Sequence, residues 1–160
     1  GLPRNADKVF RGDFSLNERC LYKMKVSYFP GCTLRNKAKD LDRYARASML
    51  ALGVELIEPE NWQCCGGVFT TSRDEIATKL ASVRALADAH ANNRPLVTVC
   101  SACHNVIKQT NHQIQTDPEF TGKVNLYLSQ DANPISYHGE TTVYHLLELI
   151  RDVVGFDKLK

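Results

Sequence analysis

No stretch of this 160-residue sequence approaches the ~20 consecutive apolar residues that carry a helix across a bilayer, so no membrane span is expected. Charge of one sign is not in excess. Lys and Arg number 20 against 18 Asp and Glu, a net +2, which implies no strongly charged partner. No basic run is interleaved with aromatics, so nucleic acid is not an expected partner. The first residues, Gly1-Leu-Pro-Arg-Asn-Ala-Asp-Lys, lack the apolar core of a signal peptide. A cytoplasmic setting is therefore expected, with any link to a membrane complex made through partners. Internal repeats and low-complexity tracts are also lacking. What remains, 43% hydrophobic and 24% charged, is the composition of an ordinary globular domain with a real core.

Cysteine is what the chain has in unusual arrangement. Five of its six cysteines fall in three places: Cys32 in Phe29-Pro-Gly-Cys-Thr-Leu, the adjacent pair in Gln63-Cys-Cys-Gly-Gly, and Cys100 with Cys103 in Val99-Cys-Ser-Ala-Cys-His. The separations resemble a strand plus a helix, a spacing by which a fold can gather soft ligands round a metal. In a reducing compartment clustered thiols favour metal or redox chemistry over structural disulfides.

Residues 1–23 are polar and irregular and read as an arm or linker carrying Cys20, expected to be a free thiol. A single domain is expected over 24–160. Lys25–Phe29 is a β-prone run stopped by Pro30-Gly31. A helical period follows from about Asn36 to Leu52, with Leu41, Tyr44, Ala45, Met49 and Leu52 on one stripe, and Gly53 ends it. Val54–Ile57 reads as a second strand closed by Pro59. Ser72 and Glu75 form a capping box for a helix buried along Ile76, Leu80, Val83 and Ala87, so Asp74 and Glu75 are cap residues rather than acid–base catalysts. Leu96–Val99 is a nearly continuous apolar run, as a strand covered on both faces should be. A helix from about Cys100 to Gln113, a short one opened by Asp117-Pro118, and a last one marked by Leu146, Leu147, Ile150 and Val153 complete the chain. Alternation of strands and helices predicts an α/β fold: a small, Rossmann-like parallel sheet in three layers with helices on both faces. Each cysteine group lies just after a strand, where open α/β folds place ligands.

Several chemistries are open to these thiols. A disulfide framework fits poorly, because adjacent Cα atoms lie ~3.8 Å apart and a bridge usually needs ~4.4–6.8 Å. Structural zinc needs four tetrahedral ligands and leaves one thiol spare. A thioredoxin-like dithiol at Cys100–Cys103 leaves Cys32 and the vicinal pair unused. An iron–sulfur cluster accounts for more of them, the fifth thiolate implying an unusual cluster shape or a bridging thiol. Aiming both vicinal thiols at one site demands a sharp turn, for which Gly66 and Gly67 supply the freedom, and Gly31 lets the backbone close in beside Cys32. A helix beginning near Cys100 would offer free amides and a positive dipole end to thiolates.

With 31 residues between Cys32 and Cys64, then Cys-Cys-Gly, then 34 residues between Cys65 and Cys100 of the Cys-x-x-Cys pair, the pattern resembles the cysteine-rich CCG domain of the family formed by the B-subunits of heterodisulfide reductases. Tyr28–Cys32, Leu52–Leu56, His145–Glu148 and Gly155–Lys158 are similar as well, so the resemblance runs over about residues 25–160 and is to the first of that family's two CCG halves. It implies a non-cubane [4Fe-4S] cluster held by Cys32, Cys64, Cys65, Cys100 and Cys103. Relatives in which the motif holds a cubane cluster or zinc leave those as alternatives. It implies an oxidoreductase subunit that reduces a disulfide or passes electrons, working with other redox subunits, among them a second CCG domain or a ferredoxin-like carrier, on a small disulfide or thiol substrate. The other reading is a zinc-stapled, non-catalytic interaction module. The family carries two copies of the motif and this chain one, so it is expected to be part of a larger machine.

Other residues have weaker claims. His104 is a candidate to tune the cluster or protonate a departing thiolate, or is simply a solvent-facing helix residue. His138 lies near the last element. His145 is expected in a buried hydrogen-bonding role. Trp62 is expected to shield the site from water. Arg35 and Lys37 are candidates to balance thiolate charge or meet an anionic substrate, or form a solvated helix start.

Overall fold

The computed structural model describes residues 24–67 and 75–159. The arm with Cys20, the Ser72–Glu75 capping box and Asp74 lie outside the described residues. Four strands, β1 (Met24–Tyr28), β2 (Val54–Ile57), β3 (Leu96–Thr98) and β4 (Val143–His145), form one sheet in the order β2-β1-β3-β4, every neighbouring pair parallel. Among the described residues six α-helices accompany them: α1 (Gly31–Asn36), α2 (Lys39–Ala51), α3 (Glu75–Ala91), α4 (Ser101–Thr116), α5 (Pro118–Leu128) and α6 (Leu146–Leu149). The chain then passes through a π-helical turn over Ile150–Val154 and a 3-10 turn over Phe156–Leu159.

The pleat divides the core in two. Leu96 and Phe29 point to a cluster with Val83, Leu86, Ile107, Val124 and Leu128, contributed by α3, α4 and α5. Val26 and Val97 point the other way, to Ala45 and Met49 of α2 and to Leu146 and Leu149 of α6. The result is the three-layer α/β arrangement, with β1 and β3 central and covered on both faces. Asp117 caps α5, its side chain accepting from the Phe120 backbone N–H at 3.0 Å, and Pro118 follows at the first helical position.

Four local expectations need correction. Residues 31–36 form α1, so Cys32 sits on a helix; the Pro-Gly pair ends β1 and starts this turn at once. The α2 stripe is narrower than its period suggests. Ala45 and Met49 are buried, but Leu41 is 50% exposed and Tyr44 is exposed too, because α2 packs chiefly on the edge strand β2. β4 has no signature in the sequence, since three residues show no alternation. The last helix is short, and Leu147, at 67%, and Val153 are exposed.

Candidate metal centre

β1 has β2 on one side and β3 on the other, so the connections leaving β1 and β3 diverge above the sheet. At such a switch point the carboxyl ends of the strands open a crevice. Cys32 follows β1, the vicinal pair lies in the loop after β2, and Cys100 follows β3. The topology thus carries three remote segments to one end of the sheet.

There the thiols form a continuous string. Cys32 Sγ lies 3.6 Å from Cys64 Sγ, and Cys65 Sγ lies 3.4 Å from Cys103 Sγ. Cys64 and Cys65 interact directly, and Cys100 is close enough to Cys103 to perturb it. Cys65 and Cys103 are buried, while Cys32, Cys64 and Cys100 are half-buried and rim the crevice. All five are free thiols. Among the described residues, no three His, Cys, Asp or Glu side chains converge on a single ion position.

The backbone is shaped to permit this. Gly31 has φ +75°, and a Cβ there would stand 2.7 Å from Cys103 Sγ. The backbone beside Cys32 is therefore pressed against the last thiol of the string, an approach open only to glycine. Gly66, at φ +76°, makes the turn that sends both vicinal side chains toward the same crevice, and a Cβ on Gly67 would meet Val106 at 3.0 Å and Cys65 Sγ at 3.5 Å.

Electrostatics distinguish the thiols. The hydrogen bond shared with Cys103, helped by the backbone N–H of Gly67, lowers Cys65 to about 6 despite burial. That same bond, with burial and the neighbouring thiolate charges, drives Cys103 far up. The Gly66 N–H favours ionised Cys64, but burial and Cys32 outweigh it and raise the group. One thiolate is thus readily formed near neutral pH, and further ionisation is opposed by thiolate neighbours. Soft thiol donors whose charges repel one another, with backbone N–H groups aimed at them, match the donor chemistry of a thiolate-held metal cluster. Cys100 stands at the N-cap of α4 and Cys103 in its first turn, beside the free amides of a 16-residue helix.

Around the thiols lie two polar groups. His145 Nδ1 accepts from the Leu147 N–H at 3.3 Å, so the proton belongs on Nε2, which donates to the Val99 carbonyl at 2.8 Å, one residue before Cys100. Glu148 closes a capping box by accepting from the His145 N–H at 2.9 Å, and that bond, with His104 and Lys108 nearby, holds its carboxyl below the ordinary range. His104 Nε2 is 3.0 Å from Glu148 but out of line for a hydrogen bond, and burial lowers the His104 pKa against the pull of Glu148. The second group centres on Glu58, which receives Arg35, Arg46 and the Trp62 indole N–H. Arg35 is thus committed to a carboxylate, the Trp62 ring packs edge-on to Phe29 with centroids 5.2 Å apart, and Lys37 is exposed. His138 contacts Ser136 on a surface loop. Sequence reasoning gave no role to Glu58, which lies in no motif, or to Glu148, which stood only as the end of the His145–Glu148 stretch, since their partners are set by the fold.

Comparison with known proteins follows the same lines. Residues 26–108 match the family described as CCG, cysteine-rich domain. The chain is 33% identical over 123 residues to the 8-methylmenaquinol:fumarate reductase membrane anchor subunit of Wolinella succinogenes, covering 77% of this chain and 42% of that protein. It is 27% identical over 138 residues to the B-subunit of the ferredoxin/F(420)H(2)-dependent CoB-CoM heterodisulfide reductase of Methanosarcina acetivorans, covering 85% and 45%. An uncharacterized iron-sulfur protein of Methanococcus maripaludis is 30% identical over 87 residues, 54% of this chain and 18% of that protein. The matched part of the chain covers less than half the length of these relatives. Among the described residues no helix is long and apolar enough to cross a membrane.

Proposed function

We propose that this chain, which belongs to the CCG family of cysteine-rich domains, is an iron–sulfur subunit of a reductase complex and that its five clustered thiols hold one [4Fe-4S] cluster of non-cubane form. The observation that carries this reading is the unbroken string Cys32, Cys64, Cys65, Cys103, Cys100 at the sheet's switch point. Five donors in a string suit several irons better than one tetrahedral zinc, which would leave a thiol idle. When bound, such a cluster supplies single-electron transfer and a soft iron site for sulfur ligands.

The protein's own residues supply the rest. Cys65 offers a thiolate at neutral pH, and the Gly66 and Gly67 amides favour negative sulfur. Buried Phe29 with Trp62 keeps water from one side of the crevice. His145 holds the carbonyl that precedes Cys100. The half-buried rim of Cys32, Cys64 and Cys100 is the side from which a small disulfide or thiol substrate, or an electron carrier, approaches. Relatives named as reductase subunits, of which the matched part covers 42% and 45%, support partners in the form of further redox subunits, including a second CCG domain or a ferredoxin-like carrier. Thiols kept for iron call for a reducing, cytoplasmic setting.

Anaerobic purification with iron and sulfide analysis tests the reading. The expected product is brown, with about four irons and four acid-labile sulfides per chain. A colourless chain with one tightly bound zinc would contradict it and support an interaction module instead.

A further inference from the structure

Glu58 lies just beyond the end of β2, six residues before the vicinal cysteines, and its carboxylate is only 17% exposed. One base and two arms meet there. The base is Arg46, whose Nη2 donates to Glu58 Oε2 at 2.6 Å while its Nε donates to Asp42 at 3.0 Å. Asp42 also accepts from the Tyr28 hydroxyl at 2.7 Å, and the Arg46 guanidinium lies 4.7 Å from the centre of the Tyr28 ring. This sets Glu58 against β1 and α2. One arm is Arg35, three residues after Cys32 on α1, at 2.8 Å from Glu58 Oε1. The other is Trp62, two residues before Cys64, whose Nε1 donates to the same oxygen at 2.6 Å. Two arginines face two carboxylates, so the group is balanced in charge and its polar atoms are turned on one another.

The Cys32 and Cys64 thiols, 3.6 Å apart, belong to the two segments these arms carry. We propose that Glu58 is a positioning residue that clamps the Cys32 helix to the Cys64-Cys65 loop and so sets the span across which these thiols face each other. This rests on the reading of the five thiols as cluster ligands. Residues that orient ligands from behind commonly change metal affinity by about 10–100-fold when removed.

The chain's single tryptophan makes the clamp visible without metal. In the metal-free chain, Arg35→Ala is expected to move Trp62 fluorescence emission through the Glu58 oxygen that both side chains reach, and Glu58→Gln is expected to move it further. In the iron-loaded chain, Glu58→Ala, Arg35→Ala and Trp62→Phe should each lose iron to a chelator about tenfold or more faster than the unaltered chain. The Arg35→Ala/Trp62→Phe pair should be no worse than Glu58→Ala, since either arm alone releases the clamp. Circular dichroism identifies variants that remain folded, and Trp62→Phe, which keeps an aromatic ring, decides if Glu58→Ala does not. Wild-type rates of iron loss in folded variants, or strictly additive effects of the two arms, would overturn the clamp. If the unaltered chain takes up no iron, the cluster reading fails. The fluorescence arm still judges the clamp: unchanged Trp62 emission in Arg35→Ala refutes it.

Discussion

The Cys103 sulfur is pressed against the backbone of Gly31, a contact that belongs to single atoms. Gly31→Ala would need both a left-handed alanine and a Cβ placed 2.7 Å from that sulfur. The backbone cost alone is about 1–3 kcal/mol. Urea denaturation of the metal-free chain should show a loss of at least that size. His145 divides two duties between its nitrogens. His145→Asn keeps an acceptor for the α6 cap but removes the donor to Val99, so stability should hold while the electron paramagnetic resonance spectrum of the loaded chain shifts. His145→Gln is expected to do the reverse, preserving the spectrum and losing about 1 kcal/mol of capping. Neither role was legible beyond a buried hydrogen-bonding histidine, because Val99 and His145 are 46 residues apart and meet only once β3 and β4 pair.

At the scale of elements, local chemistry was readable where a few neighbouring residues decide the outcome. Asp117-Pro118 starts α5 and Val54–Ile57 is β2, as their composition implied. The exposed Leu41 and Tyr44 show the limit: periodicity says which residues share a face, while the packing partner says how much of that face is covered. Long-range ties are similarly invisible in sequence. Arg84 of α3 grips Asp131, just after α5, with two bonds of 2.7 Å, and the bond from Arg84 holds the Asp131 carboxyl below its ordinary value. The ionised form therefore favours the folded chain at neutral pH. That contribution fades as pH falls through the ordinary carboxyl range, about 4, toward the lowered value. Both side chains are partly exposed and screened, so Asp131→Asn should cost no more than about 1 kcal/mol at pH 7. The difference should shrink as pH falls below about 4, and thermal melts at neutral and at acidic pH check it.

At the scale of the molecule, the sheet order decides where the thiols meet. The order β2-β1-β3-β4 opens a crevice between the exits of β1 and β3 and delivers thiols from three segments to it. That the cysteines follow strands was legible from the alternation of elements. The freedom of Gly31 beside Cys32 was legible too, but that its backbone meets Cys103 and that the thiols stand as close neighbours needed the strand order, which has no local signature. Serine substitution at each of Cys32, Cys64, Cys65, Cys100 and Cys103, with iron content and paramagnetic resonance measured on every anaerobically reconstituted variant, tests the central claim most directly. All five variants should lose iron or change spectrum. Any one of them that keeps the full iron content and an unaltered spectrum would show that its thiol is no ligand, and the five-thiol site would be wrong.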